Sequence, residues 1–371
     1  MKLPLNNDLT IILLLKGRDA FTIRWFEYAK EVKLPYHVIV ADGGIDNSLE
    51  HELREKGFHF QVSYEYVRYP YDENYKLFYA KVLNSLNKVV TPYVVLASND
   101  DFYFFDTLDE SVSFLKENSD YVTSRGEIWD FQVSPRLKWD NTTEKSEIYG
   151  NIKNISRLYN YSTVIGESAI DRVVDFSYKS NSIWHDVVRT KNLKEAFRVL
   201  IESDVYDLVF SESLICFMLA SHGKIHRGAN LYMLHQCHPD MAALMELHDS
   251  PFEWIDATGW DCDFNRFLDA VADQISQVDK ITFYEAKYKL LKIYTHSILL
   301  KRMKDHFLLL TSDVNSRAVV IGFIKRIIRK NEFLFNLLKI IHALFPVKIA
   351  NNQIPSSFIP KMDIISQFLK K

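Results

Sequence analysis

The sequence is short of several things that would decide its class at once. It has only three cysteines, Cys216, Cys237 and Cys262, widely spaced and without a Cys-x-x-Cys pair. An odd, scattered set argues against a disulfide framework or a zinc site and for a reducing compartment. The first residues, Met1 to Asp8, lack the apolar core of a secretory leader, and the apolar run Leu9 to Leu15 is too short to span a bilayer. No charge-free stretch reaches transmembrane length, so a cytoplasmic protein is expected, free or held at the inner face of the cell membrane. In that setting the sequons at Asn141, Asn154 and Asn160 carry no glycan. Internal repeats and low-complexity tracts are absent, which excludes solenoids and disordered linkers.

What is present is a soluble globular composition: 371 residues, 47% hydrophobic and 25% charged. That length allows a catalytic unit plus an appendage. Aromatic content of 14%, with 20 Tyr and 25 Phe, suits stacking on bases or sugar rings, although most such rings fill cores. The net charge of −3 is unevenly spread: residues 281–371 hold 16 Lys/Arg against 5 Asp/Glu, a local +11, leaving −14 on residues 1–280. A basic tail on an acidic body predicts an anionic surface as partner. Within it, the stretch Val319 to Lys330 alternates apolar and cationic residues as a membrane-surface helix or a packed amphipathic helix would. No nucleic-acid partner is expected.

The order of elements points to an α/β sheet. Leu9 to Leu15 reads as a strand buried on both faces, and Asp19 as the cap of a helix through Lys30. A second strand, Tyr36 to Ala41, ends in Asp42-Gly43-Gly44-Ile45-Asp46, where glycines permit a tight turn beside a ligand. The next helix stops at Gly57, Phe58 to Val67 forms a third strand, and Asp72 to Lys88 is helical. Pro92 to Ser98 is then a fourth strand, delivering Asn99, Asp100 and Asp101. Alternating strands and helices imply right-handed crossovers and a mostly parallel sheet, whose carboxyl edge gathers Asp42, Asp46, Asp100 and Asp101. Adjacent carboxylates there repel each other unless a cation compensates. Hard oxygen ligands suit Mg²⁺ or Mn²⁺ holding a diphosphate. A helix is expected from Asp106 to Asn118, an irregular site cover from Tyr121 to Tyr161, helices over Lys191–Glu202 and Glu212–His222, and a returning strand over Lys224–Leu234. A boundary near 262/263 would separate a catalytic domain (1–262) from a helical, basic C-terminal region (263–371).

Taken together these segments resemble the nucleotide-sugar glycosyltransferases of the GT-A fold, in particular the inverting enzymes of family 2. Leu9 to Leu15 is similar to that family's first strand, Val40-Ala41-Asp42-Gly43-Gly44-Ile45-Asp46 to its Val-Asp-Asp-Gly-Ser-x-Asp turn, and Ser98-Asn99-Asp100-Asp101 to its acidic metal motif. The likeness spans about the first 240 residues. Ala41 stands where the family has the first of two aspartates, and Asn99 opens a motif that usually reads Asp-x-Asp. The resemblance implies a Rossmann-like, mostly parallel sheet flanked by helices, with a helical C-terminal appendage. It also implies a Mn²⁺- or Mg²⁺-dependent hexosyl or related transfer, extending a bacterial surface polysaccharide from a nucleotide-sugar donor to a glycan or lipid-linked acceptor.

Residue by residue, the resemblance makes Asp101 and Asp100 metal ligands and puts Asp42 and Asp46 at the nucleoside, with Asn99 a carbonyl ligand or ribose contact. It makes Glu212, in Val209-Phe210-Ser211-Glu212-Ser213, the general base that deprotonates the acceptor hydroxyl. The ordinary alternative is a first-turn glutamate capped by Ser211. His235, in Leu234-His235-Gln236-Cys237-His238, is a candidate third ligand, and His235 with His238 a weaker independent metal pair. Arg18 and Lys76, with Lys16, could meet phosphates. Two other readings compete: a sugar-phosphate nucleotidyltransferase, which the single glycine of Lys16-Gly17-Arg18 disfavours, and a catalytically inactive carbohydrate-binding protein, against which the retained Asp100, Asp101 and Glu212 speak.

Overall fold

The computed structural model describes residues 6–135, 148–157, 162–179, 182–238, 250–303 and 354–370. Its first half alternates as expected: β1 (Leu9–Leu15), α1 (Asp19–Glu31), β2 (His37–Asp42), α2 (Ser48–Glu55), β3 (Tyr64–Arg68), α3 (Tyr75–Lys88) and β4 (Tyr93–Ser98). The strands β1, β2 and β4 are continuous Val/Leu/Ile runs because both their faces are covered. Gly57, at φ 70°, turns the chain out of α2 in the left-handed region that favours glycine. Then follow β5 (Phe102–Tyr103), α4 (Phe105–Glu117), β6 (Tyr121–Pro135), β7 (Gly150–Arg157), α5 (Ala169–Lys179), β8 (Val187–Arg189), α6 (Thr190–Glu202), α7 (Leu208–His222) and β9 (Lys224–Gln236). The C-terminal helices are α8 (Pro251–Ile255), α9 (Trp260–Asp279), α10 (Phe283–Tyr294) and α11 (Ile359–Leu369).

Among the described residues, nine strands form one sheet, in the order β3-β2-β1-β4-β8-β6-β9-β5, with β7 on β6. The strands β3, β2, β1 and β4 are parallel. Two antiparallel steps through β8 restore that direction in β6, and β9 pairs parallel with β6. Six of the nine strands therefore run one way, and β5, β7 and β8 oppose them. This is the helix-flanked, mostly parallel sheet of the GT-A type with a helical C-terminal region.

Three apolar clusters hold the layers. Ile12, Ile39, Val94 and Leu96 face α3, α5, α6, α7, α9 and α10 on one side of the sheet. Leu13, Val38, Val40 and Val95 face α1, α2 and α4 on the other. The end helix α11 lays Met362, Ile365 and Phe368 on Phe102, Phe131 and Tyr28. The expected boundary at 262/263 falls inside the first turn of α9, whose Phe267 and Val271 share the first cluster with Phe210 and Phe217 of α7.

Four local expectations are corrected. Phe58–Phe60 is a 3₁₀ turn, and the third strand begins only at Tyr64. Arg18, at φ 60°, precedes α1, so Asp19 is a first-turn acid and not its cap. The stretch expected to be irregular carries the longest strand, β6, paired with β7 and β9. The helix expected from Glu212 starts one turn earlier, at Leu208, with Asp207 accepting a cap bond from the Phe210 amide. The basic stretch Val319 to Lys330 and the sequons at Asn141 and Asn160 lie outside the described residues. Among the described residues no helix is long and apolar enough to cross a membrane.

Candidate active site

The chain leaves β1 for β2 and β3 on one side and returns to β4 on the other, so the order reverses between β1 and β4. In such a sheet the crevice outside the carboxyl ends of the two diverging strands is where ligands bind. The residues that close this crevice are Arg18, just after β1, and Asp100, just after β4: Arg18 Nη1 donates to Asp100 Oδ2 at 2.8 Å. His238, beyond the end of β9, reaches the same oxygen with Nε2 at 2.8 Å and stands 3.0 Å from Arg18 Nη1. Burial opposes a charge on Asp100, but the His238 bond and the Arg18 guanidinium outweigh it and hold the carboxyl well below the usual carboxylate range.

Asp101 sits differently. It is 1% exposed, its Oδ1 accepts the Gln236 amide at 3.3 Å, and its Oδ2 has no hydrogen-bond partner. Burial pushes its pKa up to about 7, with Asp100 adding to the effect and His235 opposing it. Asn99 is also buried; its Nδ2 donates to the Arg18 carbonyl at 3.3 Å and to Thr22 Oγ1 at 3.0 Å, while its Oδ1 is unpartnered. Buried polar atoms normally find partners, so two orphaned oxygens on Asn99 and Asp101, either side of Asp100, fit a cation's donor set.

The turn after β2 is built into the same edge. Asp42 Oδ1 accepts the Gly44 amide at 2.8 Å and Oδ2 accepts the Tyr66 hydroxyl at 2.6 Å, so both oxygens already serve the turn. Gly43 is required by a close approach: a Cβ there would lie 2.4 Å from Asp72 Oδ1. Asp72 is held by buried Lys81, whose Nζ donates to Asp72 Oδ2 at 2.5 Å and to the Leu15 carbonyl at 2.7 Å. Asp46 is exposed and bonds the amide and hydroxyl of Ser48. Lys76 is not brought to the acids: it is exposed, 3.7 Å from Asp204 and stacked over Tyr206. Lys16 lies over the Tyr71 ring.

His235, the expected third ligand, feels the charge of Asp101 and makes its hydrogen bond to Asp130. Its Nδ1 is 2.9 Å from Asp130 Oδ1 and 3.9 Å from Cys237 Sγ. Among the described residues, Asp130, His235 and Cys237 are the group whose ligand atoms lie within 4.8 Å of one another; Asp100 and Asp101 are outside it. Burial works against a charge on His235, yet Asp101 and the Asp130 bond overcome it and push the imidazole up to about 12.

Glu212 lies on the α7 face of the sheet, on the wall of a cavity of about 320 Å³ whose lining includes Leu96, Trp184, Ser213, Lys301 and Arg302. Burial raises its pKa, and its charged neighbour is Arg302, which opposes the rise. Leu96 ties this cavity to the strand that ends at the acids.

Sequence reasoning passed over Arg24, Gln236 and His185. The buried Arg24 guanidinium, between the rings of Phe21 and Phe102, donates to the Asp100 carbonyl at 3.0 Å, Gln236 Oε1 at 2.7 Å and the Ile148 carbonyl at 2.8 Å. Its signal was there: Arg24 falls at the i+3 position from Phe21 and i−4 from Tyr28, on the apolar stripe of α1. Burial pushes His185 down to about 3, and its Nδ1 lies 2.9 Å from the Tyr103 hydroxyl.

No family model matches the chain, and no curated protein matches it. Among solved structures, it is similar to S. aureus TarS 1-349, at 12% identity and a TM-score of 0.44 over 98% of this chain and 90% of that one. It is likewise similar to TarS 1-349 in complex with UDP, at 13% identity and a TM-score of 0.44 over 89% and 83% of the two chains. The complex with UDP-GlcNAc matches at 12% identity and a TM-score of 0.44. A likeness at that level assigns no activity.

Proposed function

We propose that this chain is a metal-dependent glycosyltransferase that moves a sugar from a nucleotide-sugar donor to a glycan or lipid-linked acceptor, with inversion, in surface polysaccharide synthesis. What carries this reading is the meeting of Arg18, Asn99, Asp100 and Asp101 at the reversal point between β1 and β4, with Asp101 Oδ2 and Asn99 Oδ1 buried and unpartnered. Asp101, with Asn99 and Asp100 beside it, would hold Mn²⁺ or Mg²⁺, whose chemistry is to neutralise charge on a departing diphosphate.

The chain's own residues supply the rest. Arg18 brings a fixed positive charge to the phosphate side, where preorganised donors stabilise developing negative charge without reorganising. The Asp42 turn, pinned by Tyr66 and Gly44, shapes the nucleoside end. Glu212, which reaches solvent at the wall of its cavity and has its pKa raised by desolvation there, takes the proton from the attacking acceptor hydroxyl. The basic C-terminal region would meet an anionic membrane surface carrying a lipid-linked acceptor.

The test is a thermal-shift screen of the full chain against UDP, GDP, CMP, dTDP and their sugars, with and without Mn²⁺. One nucleotide should stabilise the protein only with the metal, by about 2.7 kcal/mol at a hundredfold excess over its Kd. Asp101→Asn should lose that shift with an unchanged near-UV circular dichroism spectrum. Nucleotide stabilisation that ignores both the metal and Asp101 would sink the metal assignment.

A further inference from the structure

We infer that Asp130, His235 and Cys237 form a separate cation site for a borderline, thiolate-accepting divalent ion of the zinc class. Asp130 lies within β6, His235 near the end of the adjacent β9, and Cys237 just beyond it. Asp130 and His235 are direct partners in the parallel register, and pairing continues past β9 through the Cys237 amide, which donates to the Phe131 carbonyl at 2.8 Å. Residues two apart on extended backbone share a face, so Cys237 presents its sulfur on the side from which His235 presents its ring. All three are half-buried, which leaves an ion a path in.

The spacing is close to what one small ion needs. Zinc bonds of about 2.0–2.1 Å to nitrogen or oxygen and about 2.3 Å to sulfur, set at a tetrahedral angle, separate nitrogen from sulfur by about 3.6 Å and nitrogen from oxygen by about 3.4 Å. The observed separations are 3.9 Å for Cys237 Sγ to His235 Nδ1 and 2.9 Å for His235 Nδ1 to Asp130 Oδ1. Each differs from the ideal by a few tenths of an ångström, within reach of side-chain rotation alone. The Asp130–His235 hydrogen bond accounts for the shorter distance, and the sulfur, at the outer limit of a hydrogen bond to the same nitrogen, completes a three-donor group whose ligand atoms lie within 4.8 Å of one another.

The donor set also distinguishes this site from the acids after β4. Asn99, Asp100 and Asp101 offer oxygen alone, the preference of Mg²⁺ and Mn²⁺, whereas a thiolate with an imidazole selects zinc-class ions. Three protein ligands leave a fourth position open to water or a substrate group, the pattern of zinc sites that do more than staple a fold. An ion here would clamp β6 to β9 one residue from Gln236, whose amide holds Asp101 Oδ1.

The probe is Co²⁺, titrated into the full reduced chain and followed by absorption. One equivalent should produce thiolate-to-cobalt charge-transfer bands in the near ultraviolet, displaced by Zn²⁺ and not by Mn²⁺. Cys237→Ser should abolish those bands, Asp130→Asn should weaken binding by about tenfold or more, and Cys262→Ser, at an exposed cysteine of α9, should leave them intact. Asp101→Asn should also leave them intact, which keeps this site's success or failure independent of the donor metal's. Should Cys237→Ser misfold, protection of Cys237 from alkylation by Zn²⁺ in the unaltered chain gives the same answer. Absent bands, bands that survive Cys237→Ser or vanish with Asp101→Asn, or unprotected Cys237 would each overturn the assignment.

Discussion

Lys81→Met isolates the ion pair beneath the candidate site. The side chains of Lys81 and Asp72 are 1% and 0% exposed, and their nitrogen and oxygen are 2.5 Å apart. Methionine keeps most of the aliphatic stem and removes only the ammonium, leaving the Asp72 carboxylate buried without its cation and the Leu15 carbonyl with the Gly43 amide but without the ammonium. Stranding one half of a buried pair costs about 3–5 kcal/mol, most of it the desolvation of the remaining charge. Adding Asp72→Asn removes that charge, so the double variant should recover all but about 1–2 kcal/mol, although it has lost one more of the pair's groups. Urea unfolding at pH 7, read by tryptophan fluorescence, measures all three proteins. A single variant within about 1 kcal/mol of the parent, or a double variant no more stable than the single, would refute the argument. Because Lys81 fixes the last carbonyl of β1, just before Lys16-Gly17-Arg18, the single variant should also weaken nucleotide binding more than the double does.

Gly43→Ala drives a Cβ to 2.4 Å from Asp72 Oδ1, on a carboxylate that Lys81 holds in place through the other oxygen, and should cost about 1–3 kcal/mol in the same unfolding assay. Arg24→Lys should cost about 2 kcal/mol or more, because one ammonium cannot span the Asp100 carbonyl, Gln236 and the Ile148 carbonyl as the planar guanidinium does; unchanged stability would show that the three contacts are worth little. Glu212→Gln should lower kcat by about 10²–10⁴ with KM for the donor little changed. Since a base works deprotonated and burial raises this carboxyl above its ordinary 4.5, activity should climb with pH on a limb lying above the usual carboxylate range, and the glutamine variant should lose that limb.

How much of this was legible varied with what each residue buries. The strands β1, β2 and β4 announced themselves because helices cover both faces, so every position is apolar. In β6 the buried positions include Thr123, Ser124 and Arg125, which are satisfied by Asp186 and His226 from elsewhere in the chain. A strand whose buried face is polar has no period to read, and its partners are more than 60 residues away for Thr123 and more than 100 for Ser124. That same blind spot hid Asp130, whose Oδ1 lies 2.9 Å from His235 Nδ1. The true start of α7 was masked because Leu208, Val209 and Phe210 continue its apolar surface and only Asp207 marks the cap. The convergence of Asp42, Asp100 and Asp101 was legible because it follows from strand order alone, whereas the Arg18–Asp100 contact depends on a left-handed Arg18 that nothing in the local sequence demands.

The shortness of β8 leaves the carboxyl half of β4 to be satisfied by side chains. Its three residues pair with β4 only at Tyr93 and Val94, and with β6 only at Thr123 and Ser124. Leu96, Ala97 and Ser98 keep β1 on one side but receive no strand on the other. A buried backbone edge left open in this way must find other partners. The Tyr103 hydroxyl donates to the Leu96 carbonyl at 3.2 Å, and Arg24 donates to the Asp100 carbonyl at 3.0 Å. The Tyr103 hydroxyl also meets His185, whose carbonyl accepts from the Tyr232 hydroxyl at 2.8 Å. Side chains thus replace a strand along the carboxyl half of β4, and side chains, unlike a strand, leave room between them. Lengthening β8 by two paired residues would satisfy the same edge with backbone and displace the Tyr103 and His185 side chains that now stand there.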